Sequence, residues 1–219
     1  NDVLNGQENQ NELYGGAGDD RYYITVGLDS IFENADEGND TVYTQASFTL
    51  ADNFENLTIS GSSNAIGRGN AVRNTLIGND GDNILYGEGG DDSLSGVGGK
   101  NTLVGGVGND IYTIHSADDV IVENPGEGID TVWIYQTFGH YTLAPDLENL
   151  RMNFSGAMYE QMAGNAAANY ITVKGVSSVD GHGGNDTIIA ESVAVVNGGD
   201  GNDSIAVSGS SHYSLPTVH

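Results

Sequence analysis

Cysteine is absent from the 219 residues, which excludes disulfides and every thiolate metal site. Lysine and arginine together number 6 against 31 aspartates and glutamates, for a formal net charge of −25. That balance removes the basic footprint of a nucleic-acid binder and argues against docking on an anionic membrane surface. No apolar run approaches the ~18 residues of a membrane-spanning helix. Proline is scarce, with 3 residues, while glycine is plentiful, with 33; the combination points to tight turns with positive φ, not to a disordered linker. Apolar residues supply 37% of the chain, too little for a thick core, and they recur singly or in pairs between turn residues, as a thin repeated core requires. Such a chain, without disulfides, needs another staple, and metal is the usual one. The excess acid repels itself on compaction, so the carboxylates either coat a solvated surface or await a cation; their placement favours the cation. No leader segment is recognisable. The chain opens inside a repeat at Asn1-Asp2-Val3-Leu4, as expected of a segment of a longer protein.

Five nonapeptides run in tandem: GNAVRNTLI from Gly69, GNDGDNILY from Gly78, GEGGDDSLS from Gly87, GVGGKNTLV from Gly96 and GGVGNDIYT from Gly105. Position 1 is always glycine, position 6 is Asn74, Asn83, Asp92, Asn101 or Asp110, and position 8 is Leu76, Leu85, Leu94, Leu103 or Tyr112. Further copies begin at Gly15, Gly181 and Gly198. Side chains alternate across a strand, so position 8 points inward while positions 7 and 9 point out. Two nonapeptides close one full coil, which stacks each turn on the turn two repeats away. A longer period overlies this one: Gly15 to Val42 parallels Gly105 to Val132 at an offset of 90, and LADNFENL from Leu50 parallels LAPDLENL from Leu143. The chain therefore reads as one continuous solenoid of two related units, about 1–103 and 104–206, with a short tail at 207–219.

The repeats resemble the RTX family, whose motif is G-G-x-G-x-D-x-U-x with U large and apolar, a calcium-binding parallel β-helix repeat. The resemblance implies an all-β fold, a right-handed parallel β-roll or β-solenoid, with several Ca²⁺ ions held between stacked turns by position-6 carboxylates and glycine carbonyls. Calcium takes six to eight oxygens. The leading candidate pairs Asp92 with Asp110, joined by Gly87, Gly89, Gly90, Gly106 and Gly108. A second pairs Asp2 with Asp20, with Gly16 and Gly18. A third pairs Asp186 with Asp203, 17 apart and so needing a one-residue adjustment, with Gly181, Gly183, Gly199 and Gly201. Asn74 with Asp92 makes a weaker site, and the Asn83/Asn101 edge, with no carboxylate between these two, is expected to be poorly occupied or to replace metal with hydrogen bonds. The resemblance further implies a secreted or bacterial cell-surface protein, exported unfolded by type I secretion and folded outside by calcium.

Asp20, Asp29 and Asp40 each precede an apolar residue by two, as do Asp110, Asp119 and Asp130. The steps from Asp20 to Asp40 and from Asp110 to Asp130 exceed two nonapeptides and suggest a wider coil on the calcium edge. Acids such as Glu88, Glu123 and Glu191 read as solvated. Trp133, Tyr135, Phe138, His140 and Tyr141 form a sequence cluster that either packs or stacks sugars, with packing the better reading. The five histidines show no ligand or base spacing. H-E-x-x-H, G-x-S-x-G and Walker patterns are all missing, so no catalytic residue is expected. The functional expectation is a structural, adhesive or secretion module; the alternative is an accessory module of a secreted protease, lipase, lyase or epimerase, with carbohydrate or surface proteins as further partners.

Overall fold

The computed structural model describes residues 1–6, 10–25, 29–136, 139–153 and 160–209. Every regular element among them is a β-strand and every pairing is parallel. The fold is an all-β parallel β-solenoid. The chain divides into two units, Asn1–Tyr112 with Asp118–Val122, and Thr113–Ala117 with Glu123–His219. This division falls later than the repeat boundary read near residue 103. The strand Val120–Val122 pairs with Thr102–Val107, one coil earlier in the chain, so contacts interleave where the sequence repeat is cut cleanly. The strand Ser204–Ser208 also carries regular structure past residue 206, and 210–219 lie outside the described residues.

In the first unit, Val3–Asn5, Arg21–Tyr23, Thr41–Thr44, Asn56–Ile59, Thr75–Ile77 and Ser93–Ser95 pair in that order. Their central residues register as one column: Leu4, Tyr22, Val42, Leu57, Leu76 and Leu94. Phe48–Thr49, Ile66–Arg68, Ile84–Gly89, Thr102–Val107 and Val120–Val122 form a second sheet, with Leu85 against Leu103 and Leu103 against Ile121. Each coil of this tandem run thus spans two nonapeptides, and each nonapeptide contributes one strand. Leu76, Leu85, Leu94 and Leu103 are fully buried while position 7 and 9 neighbours such as Ser93 and Ser95 are half-exposed. Burying a leucine side chain contributes roughly 1.5–3 kcal/mol, so the column, renewed in every nonapeptide, is the hydrophobic core.

The second unit follows the same rule. Thr131–Ile134, Asn149–Asn153, Tyr170–Lys174, Thr187–Glu191 and Ser204–Ser208 align Val132, Leu150, Ile171, Ile188 and Ile205. His140–Thr142, Gln161–Ala163, Ser178–Asp180 and Val195–Asn197 align Tyr141, Met162, Val179 and Val196. Ile171, Ile188 and Ile205 step by 17, so the shortened Asp186–Asp203 spacing is absorbed by the whole coil rather than by one turn.

Candidate metal centres

The turns explain why glycine recurs where it does. Position 2 adopts positive φ at Gly16, Gly106 and Gly199 (74°, 95° and 98°), and position 4 does so at Gly18, Gly90, Gly108 and Gly201 (125°, 100°, 146° and 139°). Three other residues at position 2 enter the same region: Glu88 at 79°, Val97 at 68° and His182 at 69°. Position 1 is glycine for a different reason. A Cβ on Gly87 would lie 2.6 Å from the Gly105 carbonyl oxygen and closer still to Asp92 Oδ2. A Cβ on Gly181 would strike the Gly198 carbonyl oxygen and Asp186 Oδ2. A carboxylate oxygen and a carbonyl oxygen from the next coil therefore converge on the bare face of each of these position-1 glycines. The carbonyls of Gly105 and Gly198 were not among the sequence candidates; only the stacking of coils reveals them. Gly89 makes a looser approach, its Cβ position lying 3.7 Å from the Val107 carbonyl, and Gly183 bridges to Asp200 on the neighbouring coil.

In each unit, position-6 residues one coil apart stack as a ladder. The Asn74 N–H donates to Asp92 Oδ1 (2.7 Å) and the Asp92 N–H donates to Asp110 Oδ1 (2.7 Å). At the start of the chain the Asp2 N–H donates to Asp20 Oδ1, and the Asp20 N–H to Asp40 Oδ1 (2.8 Å). In the second unit the Asn169 N–H donates to Asp186 Oδ1 (2.8 Å) and the Asp186 N–H to Asp203 Oδ1 (3.0 Å). One carboxylate oxygen is thus committed to the preceding coil. The other is not: Oδ2 of Asp20, Asp92 and Asp186 is buried without a hydrogen-bond partner, and each of these residues is 1% exposed. A buried, unpaired carboxylate oxygen carries a large desolvation cost, and a hard cation is the group that relieves it with carbonyl help. The donor set fits calcium.

The electrostatics agree. Burial pushes the Asp92 carboxyl up to about 7, the charges of Asp110 and Asp91 add to the rise, and the Asn74 N–H opposes it. Asp186 is raised by burial and then by Asp203, against the pull of the Asn169 N–H. Asp40 is raised by burial, with the Asp20 charge contributing.

Asparagine at position 6 behaves differently. Asn83 Nδ2 donates to the Gly81 carbonyl (2.6 Å) and the Asn83 N–H donates to Asn101 Oδ1 (2.9 Å). Asn101 Nδ2 donates to the Gly98 carbonyl (2.8 Å). The amide thus spends its donor on a carbonyl of its own turn. Asn74 is committed as well: its Oδ1 accepts from the Asn70 N–H (2.7 Å) and its Nδ2 donates to the Phe54 carbonyl (2.9 Å). Its backbone N–H caps Asp92, and its side-chain oxygen already accepts from its own turn.

Two ladder members escape sequence reading. The Asp40 N–H donates to Glu55 Oε2 (2.7 Å) and the Asp130 N–H to Glu148 Oε2 (2.8 Å). These glutamates, inside LADNFENL and LAPDLENL, reach with a longer side chain to the place an aspartate takes elsewhere; their matching positions in the two units were the available signal. Glu123, read as solvated, is half-buried with Oε2 shielded from solvent. Glu88 pairs with Arg68 and Glu191 with Lys174 (2.7 Å) at the surface. The aromatic group is not one cluster. Trp133 stacks on Tyr135 (5.9 Å) and Tyr135 on His115 (6.2 Å), with Arg151 over Trp133 at 5.9 Å. His140 and Tyr141 sit on a strand of the other sheet, and Phe138 lies outside the described residues.

A family model of the RTX calcium-binding nonapeptide repeat (4 copies) matches residues 1–31, 68–103, 95–111, 174–192 and 195–209. Eighty-two residues are 42% identical to the endo-1,3-1,4-beta-glycanase ExsH of Rhizobium meliloti, covering 37% of this chain and 17% of that protein. Sixty-six residues are 39% identical to the endo-1,3-1,4-beta-glycanase EglC of the same organism, covering 30% of this chain and 14% of that protein. The matched portion is thus less than a fifth of either relative.

Proposed function

The chain belongs to the RTX calcium-binding nonapeptide repeat family, and from that premise we propose that it is a calcium-folded accessory module of a secreted enzyme, itself without catalytic residues. The observation that carries the calcium part is the ladder of carboxylates at Asp20, Asp92 and Asp186, each with one oxygen bonded to the neighbouring coil and the other buried without a partner. Asp92 and Asp110 would hold one ion with the Gly105 carbonyl, and Asp186 with Asp203 another with the Gly198 carbonyl. Bound calcium supplies positive charge to the buried oxygens. The chain's own residues do the rest: the position-1 glycines leave the cradle open, and the leucine and isoleucine columns hold the turns in register. Because metal binds the folded state and not the disordered one, binding free energy becomes folding free energy. In a low-calcium cytoplasm the repelling carboxylates keep the chain loose; outside the cell the ion closes it.

The enzyme association rests on two relatives named as glycanases, which favour an accessory role over the adhesive one. Their names also favour a second reading, carbohydrate contact, for which the stacked Trp133, Tyr135 and His115 offer a platform. Circular dichroism during calcium titration, with magnesium and chelator controls, tests the folding role; a spectrum indifferent to calcium removes it. A glycan array comparing the wild type with Trp133→Ala tests the platform, and silence of the wild type removes that reading.

A further inference from the structure

One coil departs from the nonapeptide pattern and gathers acid of its own. Asp20 and Asp40 occupy successive rungs of the ladder, and Glu33 lies between them in sequence, just past the strand Ser30–Phe32. Carboxylate oxygens of Asp20, Glu33 and Asp40 all lie within 4.8 Å of one another. Asp20 and Asp40 are each 1% exposed. Asp20 Oδ2 and Glu33 Oε2 are both buried with no hydrogen-bond partner. Other oxygens of the group have defined work: Asp20 Oδ1 accepts from the Asp2 N–H, with the Asn1 ammonium 3.3 Å away, and Asp40 Oδ1 accepts from the Asp20 N–H. No lysine, arginine or histidine pairs with Glu33 or Asp40 among the described residues.

Tyr22 explains why Glu33 points there. It occupies the column position that leucine fills in Leu76 and Leu94, yet its hydroxyl reaches the turn and donates to Glu33 Oε1, with the Phe32 carbonyl 3.3 Å away. Phe54 packs edge-on against the ring at 5.3 Å. Gly15 completes the cradle: a Cβ there would collide with Asp20 Oδ2, Glu33 Oε1 and the Tyr22 hydroxyl together. Space is left bare where three oxygens meet. The same residue types recur 90 positions on, at Gly105, Asp110, Tyr112, Glu123 and Asp130, and Glu123 and Asp130 again bring carboxylate oxygens within 4.8 Å.

We propose that Asp20, Glu33 and Asp40 form a calcium site of a second kind, positioned by Tyr22, in which a glutamate from outside the nonapeptide closes the wide coil. Two of its three carboxylates, Glu33 and Asp40, lie beyond the residues matched by the repeat family. Oxygens sharing one calcium lie at most about 5 Å apart, given metal–oxygen distances of 2.3–2.6 Å, and this group meets that limit. Three carboxylates also exceed the two of a consensus turn pair, so the site binds more tightly and fills first. The wide coil, the least repeat-like part of the unit, is thereby pinned before its neighbours.

The inference rests on the calcium reading above for the identity of the ion, and the test separates the two. Native mass spectrometry of the full chain across a calcium titration counts ions for the wild type, Glu33→Gln and Asp92→Asn. Glu33→Gln keeps the acceptor for Tyr22 and should lose one ion, the one that binds at lowest calcium; Asp92→Asn should lose a different, later one. A wild type that binds no calcium overturns both readings. A Glu33→Gln variant with the wild-type count and titration overturns only this one. Should Glu33→Gln fail to reach the wild-type circular dichroism spectrum in saturating calcium, Tyr22→Phe takes its place: it keeps the core volume and should raise the calcium needed to fill the first site at least several-fold. An unchanged first step in that variant overturns the proposal equally.

Discussion

Asp92→Asn should change stability in opposite directions depending on calcium. Asp92 Oδ1 accepts from the Asn74 N–H and Oδ2 is buried without a partner. The substitution keeps the first oxygen and turns the second into an amide, an arrangement the fold already uses at Asn101, whose Oδ1 accepts from the Asn83 N–H and whose Nδ2 donates to the Gly98 carbonyl. Without calcium, at pH 8, the wild type holds Asp92 charged against burial and against Asp110. A carboxyl displaced from 3.8 to about 7 corresponds to at most ~4 kcal/mol at 1.36 kcal/mol per unit. Solvent screening at the turn edge roughly halves that, so the variant should be about 2 kcal/mol more stable than the wild type. With calcium at about 1,000 times the Kd of the site, the ion contributes about 4.1 kcal/mol that the variant forgoes, leaving it about 2 kcal/mol less stable. The two stability curves cross at ~30 times Kd. Urea unfolding at pH 8, over a calcium series in a fixed concentration of trimethylamine N-oxide that keeps the calcium-free form folded, measures both signs. Glu191→Ala, which removes only a surface pair with Lys174, should shift neither limb. A variant less stable than wild type by the same amount at every calcium concentration would show that Asp92 is an ordinary turn residue and holds no ion.

Gly87→Ala should lose one ion and about 1–3 kcal/mol in calcium, because its Cβ meets Asp92 Oδ2 and the Gly105 carbonyl, whereas Gly89→Ala should be nearly neutral; equal effects in melts would contradict the cradle. Val97 is a β-branched residue at φ 68° on the asparagine edge, so Val97→Gly should stabilise the protein by about 1 kcal/mol with or without calcium; a calcium-dependent gain would place an ion there. Calcium-free protein should lose stability as pH rises from about 4 to 7, since Asp92 is raised to about 7 and Asp186 and Asp40 are raised by burial, and the folded state holds protons the unfolded chain has already released. In saturating calcium the slope should reverse, because the ion needs the carboxylates ionised; melts at pH 5 and pH 8 in the two media decide it.

The nonapeptide spacing made the regular coils legible. Leu76, Leu85, Leu94 and Leu103 were readable as the inward column, and Asp92 with Asp110 as a stacked pair, because a fixed step along the chain becomes a fixed step in space once each coil has the same length. Spacing also exposed the shortened coil at Asp186. Legibility ends where a residue's partner lies across the coil instead of one repeat away. Glu33 acquires its surroundings through Tyr22, and nothing local in Phe32-Glu33-Asn34 separates it from a solvated acid. Glu55 and Glu148 stand in glycine-poor turns, where a longer side chain substitutes for the missing aspartate. Trp133 and His140 are near in sequence but belong to different sheets, so adjacency suggested a cluster that folding separates. The Gly105 carbonyl, finally, is a backbone group, and no residue type announces it.

Far-UV circular dichroism of the full chain, taken first after exhaustive EGTA dialysis and then through a calcium titration at pH 8, bears most directly on whether the buried carboxylates require an ion. A largely unfolded spectrum that converts cooperatively to β-structure as calcium is added, and that magnesium fails to produce, is the expected result. A β-rich spectrum already complete in EGTA, with the same melting temperature before and after calcium, would contradict it.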